Sequence, residues 1–219
     1  MLIMEQFNHT LYIIGGASTA LEMRETIELV DNSYDCIVNV VADGELCRYS
    51  FIEDSKLTDH LAMSNKKSFV IGFVNQKLRK RFYDLFIANN AEPADNIIHP
   101  SAFVSKSAKL GRGNYLACNV VVSSEAELGE FNIVNLSVTV GHNAKIGSNC
   151  IFNPGTRISG NCNIGDRCLF GANSFVFQGK TIGEDCAIDA LTYIDRDIED
   201  KKLCTNNIGG LKVYKNRIY

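Results

Sequence analysis

The chain has 219 residues, of which 46% are hydrophobic, with a formal charge of -3 and an isoelectric point near 5.8. This length suffices for one or two domains with a sizeable core. The weakly acidic balance excludes a general attraction to nucleic acid or to an anionic membrane. No secretory leader is apparent at the start, and no apolar run approaches the length of a membrane span. We therefore expect a cytoplasmic protein without membrane insertion.

The first part of the chain alternates between strand and helix patterns. Apolar runs predict strands, and apolar residues spaced about 3.6 apart predict helices, in the order residues 10–16, 20–30, 35–42, 68–74 and 75–89. This alternation indicates a small parallel, Rossmann-like α/β domain, which we place at residues 1–95. The basic residues at 77–81 are interpreted as a solvated helix face, with a ligand role as the alternative.

A candidate anion site lies where the first strand turns into the first helix. The turn reads Gly15-Gly16-Ala17-Ser18-Thr19, and free N–H groups at a helix N-terminus favour a phosphate. The G-x-G-x-x-G fingerprint is absent, so an ordinary strand–helix connection explains the turn equally well. Asp43, after the second strand, could accept hydrogen bonds from a nucleotide, although with Gly44 it also fits a simple turn.

The sequence from Ile98 to Ile194 repeats every six residues. Each sixth position is apolar in all seventeen cases: Ile98, Val104, Leu110, Leu116, Val122, Leu128, Val134, Val140, Ile146, Phe152, Ile158, Ile164, Phe170, Val176, Ile182, Ile188 and Ile194. Apolar-Gly pairs recur every eighteen residues, so three hexads form one coil. A six-residue period matches neither an α-helix nor a flat sheet. It predicts a parallel β-helix of triangular section over residues 96–196.

Most hexads carry a small residue at the fifth position, as a tight interior corner requires. Four of the eight cysteines lie there, namely Cys150, Cys162, Cys168 and Cys186, and no C-x-x-C pair occurs. We interpret them as small buried fillers rather than as metal ligands or redox groups.

Beyond the repeat, the six-residue period fails in a charged segment. The tail at residues 197–219 follows, with basic and tyrosine residues. We expect this tail to leave the prism and to pack on a neighbour or line a cofactor groove, with fraying as the alternative.

One histidine lies well inside the repeat. His142 occupies a hexad position that should face outward, where a rigid wall would hold it toward a ligand as a general base. The same position also suits an ordinary surface histidine. A catalytic zinc site is disfavoured, because three histidines from neighbouring walls would be needed and the coils contain only His142.

The chain resembles a known family from about residue 10 to about residue 197. The segments IIHPSAFVSKSAKLG, IVNLSVTVGHNAKIG and FNPGTRISGNCNIG are similar to the hexapeptide-repeat acyltransferases, which fold as a left-handed parallel β-helix. With the α/β domain in front, the order resembles the sialic-acid O-acetyltransferase-like sugar acyltransferases. The better-known members of that group N-acetylate nucleotide-linked 4-amino sugars.

The resemblance implies a homotrimer with acetyl-CoA between adjacent prisms and a sugar nucleotide on the α/β domain. His142 matches the catalytic base, and Asn143 stands beside it. Asn135 matches a contact to the acceptor sugar. The N–H of Gly160 matches a donor to the acetyl carbonyl. The other implied contacts are Ile151 and Ala172 for the cofactor, and Ala17, Ser18, Thr19 and Asp43 for the nucleotide sugar; no metal is implied.

Three departures from the family's pattern stand out. Asn143 stands where an acidic residue usually follows the base, and an amide orients the imidazole without supplying negative charge. Ile151 stands where a histidine is frequent. Ser18 and Thr19 replace a Gly-His pair, which leaves the nucleotide and its pose open.

From these patterns we expect an acetyl-CoA-dependent N-acetyltransferase that acts on a nucleotide-linked amino sugar for bacterial surface-glycan synthesis. Transfer to a sugar hydroxyl, or of a larger acyl group, is the nearest alternative. O-acetylation would demand stronger base assistance, against which Asn143 argues mildly. A catalytically degenerate scaffold is a further alternative, because the usual carboxylate is missing.

Overall fold

The computed structural model describes residues 7–30, 33–207 and 210–215. Two compact units make up the chain, Met1–Asp95 and Asn96–Tyr219, called unit 1 and unit 2 below. Within the described ranges, no helix is long and apolar enough to cross a membrane. Positions 208–209 and 216–219 of the predicted tail lie outside these ranges.

Unit 1 is a five-stranded parallel sheet with helices, so the predicted Rossmann-like arrangement is confirmed. Its strands are β1 (Phe7–Ile14), β2 (Cys36–Val41), β3 (Phe51–Glu53), β4 (Ser64–Ile71) and β5 (Glu92–Pro93). Its helices are α1 (Thr19–Leu29), α2 (Leu57–Leu61) and α3 (Gln76–Ala88), and a single 3-10 turn spans Asp54–Lys56. The strand order is β3-β2-β1-β4-β5, so the chain reverses its winding direction between β1 and β4.

The core of unit 1 forms around β1, whose last four residues are at most 1% exposed. Ala20, Met23 and Ile27 bury the predicted face of α1. The fourth strand ends earlier than the predicted span of 68–74. The reason is that Gly72 turns against the start of α1, where a Cβ on Gly72 would lie 2.7 Å from the Cβ of Ala20. Asn75 then caps α3 by accepting the N–H of Leu78 at 3.1 Å.

One basic residue of α3 departs from the predicted solvated face. Arg79 is 1% exposed, and its guanidinium donates to the carbonyl oxygens of Ile71 at 3.2 Å and Phe73 at 2.8 Å. These carbonyls lie at the carboxyl end of β4 and just beyond it. Lys77, Lys80 and Arg81 are exposed as predicted. The periodicity could not single out Arg79, because a long side chain can bury its head as well as its stem.

Unit 2 is a three-walled parallel β-helix, as the six-residue period predicts. The first wall contains β6 (Ile97–Ile98), β9 (Tyr115–Leu116), β12 (Ile133–Val134), β15 (Ile151–Phe152), β18 (Leu169–Phe170) and β21 (Ala187–Ile188). The second wall contains β7 (Phe103–Val104), β10 (Val121–Val122), β13 (Thr139–Val140), β16 (Arg157–Ile158), β19 (Phe175–Val176) and β22 (Tyr193–Ile194). The third wall contains β8 (Lys109–Leu110), β11 (Glu127–Leu128), β14 (Lys145–Ile146), β17 (Asn163–Ile164) and β20 (Thr181–Ile182).

Each wall is followed by a corner, named here the first, second and third corner in the same order. Of the seventeen apolar positions of the repeat, the fourteen from Leu116 onward are buried, while Ile98, Val104 and Leu110 are half-buried. Equivalent residues of successive coils pair in register, as with Val122 and Val140. The core is therefore a stack of side chains inside the prism.

From the first coil's third corner onward, the corners contain backbone in the left-handed region. From Gly113 to Leu191, the third residue after each apolar position has φ between 55° and 73°, in all fourteen cases. Five of these residues are asparagine, which tolerates this conformation better than most non-glycine residues. The sequence shows this signal as a recurrent Asn at one hexad position, but the spacing of apolar residues alone did not reveal it.

The corner cysteines are buried as expected, and they also donate hydrogen bonds. The thiols of Cys150, Cys168 and Cys186 each donate to a backbone carbonyl of the next coil at 3.1 Å. Burial raises the pKa of the Cys162 thiol. Because these thiols stay protonated, they act as small donors that satisfy corner carbonyls.

The tail does not leave the prism at residue 197, which corrects the sequence-based expectation. Ile198 pairs with Ile182 on the third wall, and β23 (Lys202–Asn207) continues the first wall in parallel with β21. An antiparallel β24 (Gly210–Lys215) then pairs with β23. This coil is two residues shorter than the others, since sixteen residues separate the paired isoleucines. The hexad frame therefore slips, and the period is hidden in the sequence.

Candidate active site

His142 lies at the second corner, between β13 and β14, and its side chain is exposed. Its Nδ1 is 3.0 Å from Oδ1 of Asn143. An amide oxygen only accepts hydrogen bonds, so this contact places the proton on Nδ1. The lone pair of Nε2 is then free to accept a proton, as a general base requires.

Asn143 has two structural roles at this corner. Its φ of 57° belongs to the left-handed series of the coils, which asparagine tolerates. Its backbone N–H donates to the carbonyl of Ser124, one coil earlier, at 3.0 Å. The corner therefore fixes the backbone of Asn143, and the side-chain amide is left to orient the imidazole.

Gly160 occupies the equivalent place to His142 one coil later and lies against the imidazole. A Cβ built on Gly160 would be 2.6 Å from Nε2, 2.7 Å from Cε1 and 3.0 Å from Cδ2 of His142. The hydrogen bonds of the described residues give no acceptor to the N–H of Gly160, whereas its carbonyl accepts from Gly179 at 3.0 Å. Only glycine at this position leaves room for the ring, and the N–H can serve as a donor to a ligand.

The other residues assigned to unit 2 lie along the first wall and first corner. Asn135 is half-buried and accepts the N–H of Leu136 with its Oδ1 at 3.0 Å. Ala172 lies at the same corner two coils later and is half-buried. Ile151, in β15, is only 2% exposed, which disfavours contact between its side chain and a dissolved ligand.

Within one chain, Asn135 and His142 are at opposite edges of the second wall. The four extended residues at 138–141 lie between them and span about 13 Å at about 3.3 Å per residue. The structure therefore brings together His142, Asn143 and Gly160 at the second corner. Asn135 and Ala172 lie at the first corner instead, so within one chain they are not beside His142.

In unit 1, the assigned residues gather at the carboxyl edge of the sheet. Ala17 and Ser18 are exposed and Thr19 is half-buried after β1, while the exposed Asp43 follows the adjacent β2. Ser18 precedes α1 with φ 47° and ψ -119°, and no side chain caps that helix. Asp43 Oδ1 accepts the N–H of Ser55 at 3.0 Å, so one of its oxygens already has a partner.

Sequence reasoning missed one polar residue whose side chain contacts this edge of the sheet. Asn39, in the middle of β2, is fully buried and donates from Nδ2 to the carbonyl of Gly15 at 2.8 Å. The sequence offers a signal, namely a single amide inside the apolar run CIVNVVA, but a pattern of burial does not say which backbone group it meets.

No cluster of three or more metal-ligating side chains occurs among the residues that the structure describes. A shallow groove does run along the third wall, with Lys145, Asn163 and Thr181 on its floor and Asp166, Glu184 and Asp200 along one side. It covers the strands of the third wall and the residues just after them, and none of the assigned residues lines it.

Two family models match the coils. Residues 143–178 match the bacterial transferase hexapeptide model of six repeats, and residues 163–196 match the hexapeptide repeat of succinyl-transferase. These segments of the coils are therefore hexapeptide repeats, as the sequence predicts. No curated protein matches it in sequence.

Solved structures match nearly the whole chain. A variant of perosamine N-acetyltransferase from Caulobacter crescentus, in complex with CoA and GDP-perosamine, is 23% identical with a TM-score of 0.82, covering 94% of this chain and 97% of its own. The acetyltransferase domain of PglB from Neisseria gonorrhoeae, in complex with acetyl coenzyme A, is 24% identical with a TM-score of 0.81, covering 94% and 100%. WeeI from Acinetobacter baumannii is 15% identical with a TM-score of 0.80, also covering 94% and 100%. These likenesses establish the fold, an α/β unit followed by a left-handed β-helix.

Proposed function

We propose that this protein is an acyltransferase that moves the acetyl group of acetyl-CoA to the amino group of a nucleotide-linked sugar. The observation that carries the proposal is the second corner, where an exposed imidazole with a fixed tautomer lies against a glycine whose N–H has no acceptor among the described residues. Two solved structures of the same fold, named as acetyltransferases, hold CoA or acetyl-CoA, and one also holds a nucleotide-linked sugar.

The chemistry follows from the two groups at this corner. As the acceptor amine attacks the thioester carbonyl, Nε2 of His142 takes the proton that the nitrogen loses. The negative charge that develops on the carbonyl oxygen is stabilised by the N–H of Gly160. When the tetrahedral adduct collapses, the C–S bond breaks and the imidazolium of His142 returns its proton to the departing sulfur, so that CoA leaves as a thiol and Nε2 is free again. Asn143 keeps the proton on Nδ1 throughout, so that Nε2 remains the accepting atom.

A second copy of the chain would complete this site. Because Asn135 and Ala172 lie a full wall away from His142 in one chain, both sets meet the same ligands only if two prisms lie side by side. Four of the six outward side chains of the second wall support such packing, since Phe103 and Tyr193 are exposed at 61% and 43%, and Val121 and Phe175 lie between them. The other two are Thr139 and Arg157. We propose a homotrimer in which this wall faces the shared axis.

Unit 1 would supply the acceptor by binding its nucleotide at the carboxyl edge of the sheet. Ligands of open parallel sheets bind outside the strand ends where the winding direction reverses, and in this sheet that point lies between β1 and β4. The turn with Ala17, Ser18 and Thr19 lies there, and Asp43 follows the neighbouring strand.

The direct test is release of free CoA thiol from acetyl-CoA in the presence of UDP-, GDP- and dTDP-linked 4-amino sugars. We expect turnover with one nucleotide series and a loss of at least 100-fold in kcat for His142→Ala. A matched control is Gln178→Ala, two coils after His142 in the same corner, which should retain wild-type kcat. Equal rates for wild type and His142→Ala with every acceptor would contradict the proposal. Turnover with the corresponding hydroxyl sugars instead of the amines would reassign the enzyme to O-acetylation.

A further inference from the structure

We infer that Asn39 is a positioning residue for the turn that binds the diphosphate of the nucleotide sugar, an inference that rests on the proposed function. Asn39 lies in β2, next to β1, and is fully buried between Val38 and Val40. Its backbone N–H already has a strand partner, the carbonyl of Ser50 at 2.9 Å. The sheet would therefore form as well with an apolar side chain at this position.

The amide of Asn39 helps to fix the first residue of the turn. Gly15 is held from two sides by β2, because its N–H donates to the carbonyl of Val40 and its own carbonyl accepts from Nδ2 of Asn39, both at 2.8 Å. Gly15 has φ 126°, a conformation that favours glycine. Gly16 follows so closely over β2 that a Cβ would lie 2.5 Å from Cγ1 of Val41. Contacts of Gly15 and Gly16 with β2 therefore determine the backbone conformation of the turn.

Because of this backbone path, the uncapped N-terminus of α1 lies where the winding direction of the sheet reverses, between β1 and β4. After Gly16 the chain passes through Ser18 and enters the eleven-residue α1, whose first turn has no side-chain cap. No hydrogen bond of the described residues occupies the N–H groups of Ala17, Ser18 and Thr19. Free N–H groups and the helix dipole at this end favour a diphosphate.

The oxygen of the side-chain amide shows that protein stability alone does not explain why an asparagine occupies position 39. Its Oδ1 is buried and has no hydrogen-bond partner in the part of the chain that the structure describes. A buried carbonyl oxygen without a donor destabilises the folded state. An amide that is half satisfied therefore persists at this position because its other half holds Gly15, and with it the N–H groups of the turn.

The test compares Asn39→Val with wild type in the full-length protein. Valine removes both the unpartnered oxygen and the hydrogen bond to Gly15. The control is Thr10→Val, which removes a buried polar group from β1 near its opposite end, where Thr10 contacts Ser64 at 2.7 Å. Titration calorimetry with UDP, GDP and dTDP measures nucleotide binding without any need for turnover. Steady-state kinetics then give separate KM values for the nucleotide sugar and for acetyl-CoA.

We expect Asn39→Val to weaken binding of the preferred nucleoside diphosphate at least tenfold and to raise the KM of the nucleotide sugar similarly. The KM of acetyl-CoA should stay within twofold, and the melting temperature should match or exceed that of wild type. Thr10→Val should leave the nucleotide Kd unchanged. Wild-type affinity in Asn39→Val, or no nucleotide binding by the wild type at all, would overturn the inference. Nucleotide binding that depends on Asn39 without any acetyl transfer would support it and reject the proposed function.

Discussion

At the second corner, two neighbours determine where the imidazole of His142 points. Asn143 accepts a hydrogen bond from Nδ1 at 3.0 Å, and Gly160 leaves the face of the ring free. The first contact sets the tautomer, and the second sets the space in which the ring can lie. Neither supplies charge, so the site depends on geometry more than on a carboxylate partner.

Gly160→Ala should lower kcat by about 100-fold without unfolding the protein. The new methyl group would meet three ring atoms at 3.0 Å or less, so the exposed imidazole has to rotate away; misplacement by about 1 Å costs on the order of 100-fold. Kinetics of thiol release, with circular dichroism to monitor the fold, make the measurement. The neighbouring Ser159→Ala is the control and should retain activity. An active Gly160→Ala enzyme would show that the ring does not need this space.

Ser18→Gly should stabilise the protein by up to about 1 kcal/mol. Ser18 has φ 47° and ψ -119°, a combination that L-residues rarely adopt and glycine adopts easily. Thermal melting of wild type and variant gives the difference. Ala17→Gly is the control, because Ala17 is not among the residues with positive φ and should gain nothing. A destabilised Ser18→Gly variant would mean that the serine side chain makes a compensating contact.

Among the elements, the third corner shows how each coil is fastened to the next. Asn96, Asn114 and Asn132 stack there in successive coils, and Cys150, Cys168 and Cys186 continue the column. The side-chain amide of Asn132 makes two hydrogen bonds: its Oδ1 accepts from the N–H of Cys150 at 2.7 Å, and its Nδ2 donates to the carbonyl of Gly147 at 3.0 Å. A cysteine at the same place has only a weak thiol donor, which in Cys168 lies 3.1 Å from the carbonyl of Gly183 and 3.6 Å from that of Asp166.

Asn132→Ala should therefore destabilise the prism more than Cys168→Ala does. The first change leaves one buried N–H and one buried C=O without partners, at about 1–3 kcal/mol each. The second removes a weak donor and a small volume, which together amount to about 1 kcal/mol. Urea unfolding of both variants measures the difference in free energy. Equal losses for the two would contradict the role given to the asparagine amide.

An element could be predicted from the sequence when it depends on a regular local spacing of residues, and could not when it depends on contacts between distant parts of the chain. Buried aliphatic positions recur every six residues, so the coils could be derived from the sequence. The last coil could not, because a deletion of two residues shifts the frame between Ile194 and Ile198. His142 could be singled out as a candidate because it is the one histidine well inside the repeat. Asn39 was missed because its partner, Gly15, is 24 positions away in the chain. Likewise, no periodicity identifies Arg79 as a buried side chain.

For the whole molecule, the stability of the fold should fall in mild acid. Burial lowers the pKa of His9 and of His60 below the ordinary value of 6.5. As the pH drops below about 6.5, the unfolded chain therefore takes up protons before the folded chain does. The free energy of unfolding should decline until the pH passes the folded-state values. Urea titrations at a series of pH values measure the slope, and the double change His9→Gln with His60→Gln should flatten it. An unchanged slope would show that other groups dominate.

The proposed trimer provides a second test on the whole molecule. Val121→Glu places a carboxylate on the outward face of the second wall, where the proposed trimer would bury it, and a buried unpaired charge is strongly unfavourable. We expect dissociation to monomers in analytical ultracentrifugation and loss of acetyl transfer. Lys145→Glu, on the exposed third wall, should leave both properties intact. A trimeric, active Val121→Glu protein would show that another wall forms the interface.

The in-register pairing of coils has a consequence for how such a chain can change its length. Within the regular coils from Leu110 to Ile182, insertion or removal of eighteen residues adds or subtracts one complete rung and returns every side chain to its former corner. Any increment there that is not a multiple of eighteen would place every later hexad on a different wall or at a different corner. The length of the prism can therefore change only by whole coils, and the corner that holds His142 can be shifted along the prism axis only by the height of one coil at a time.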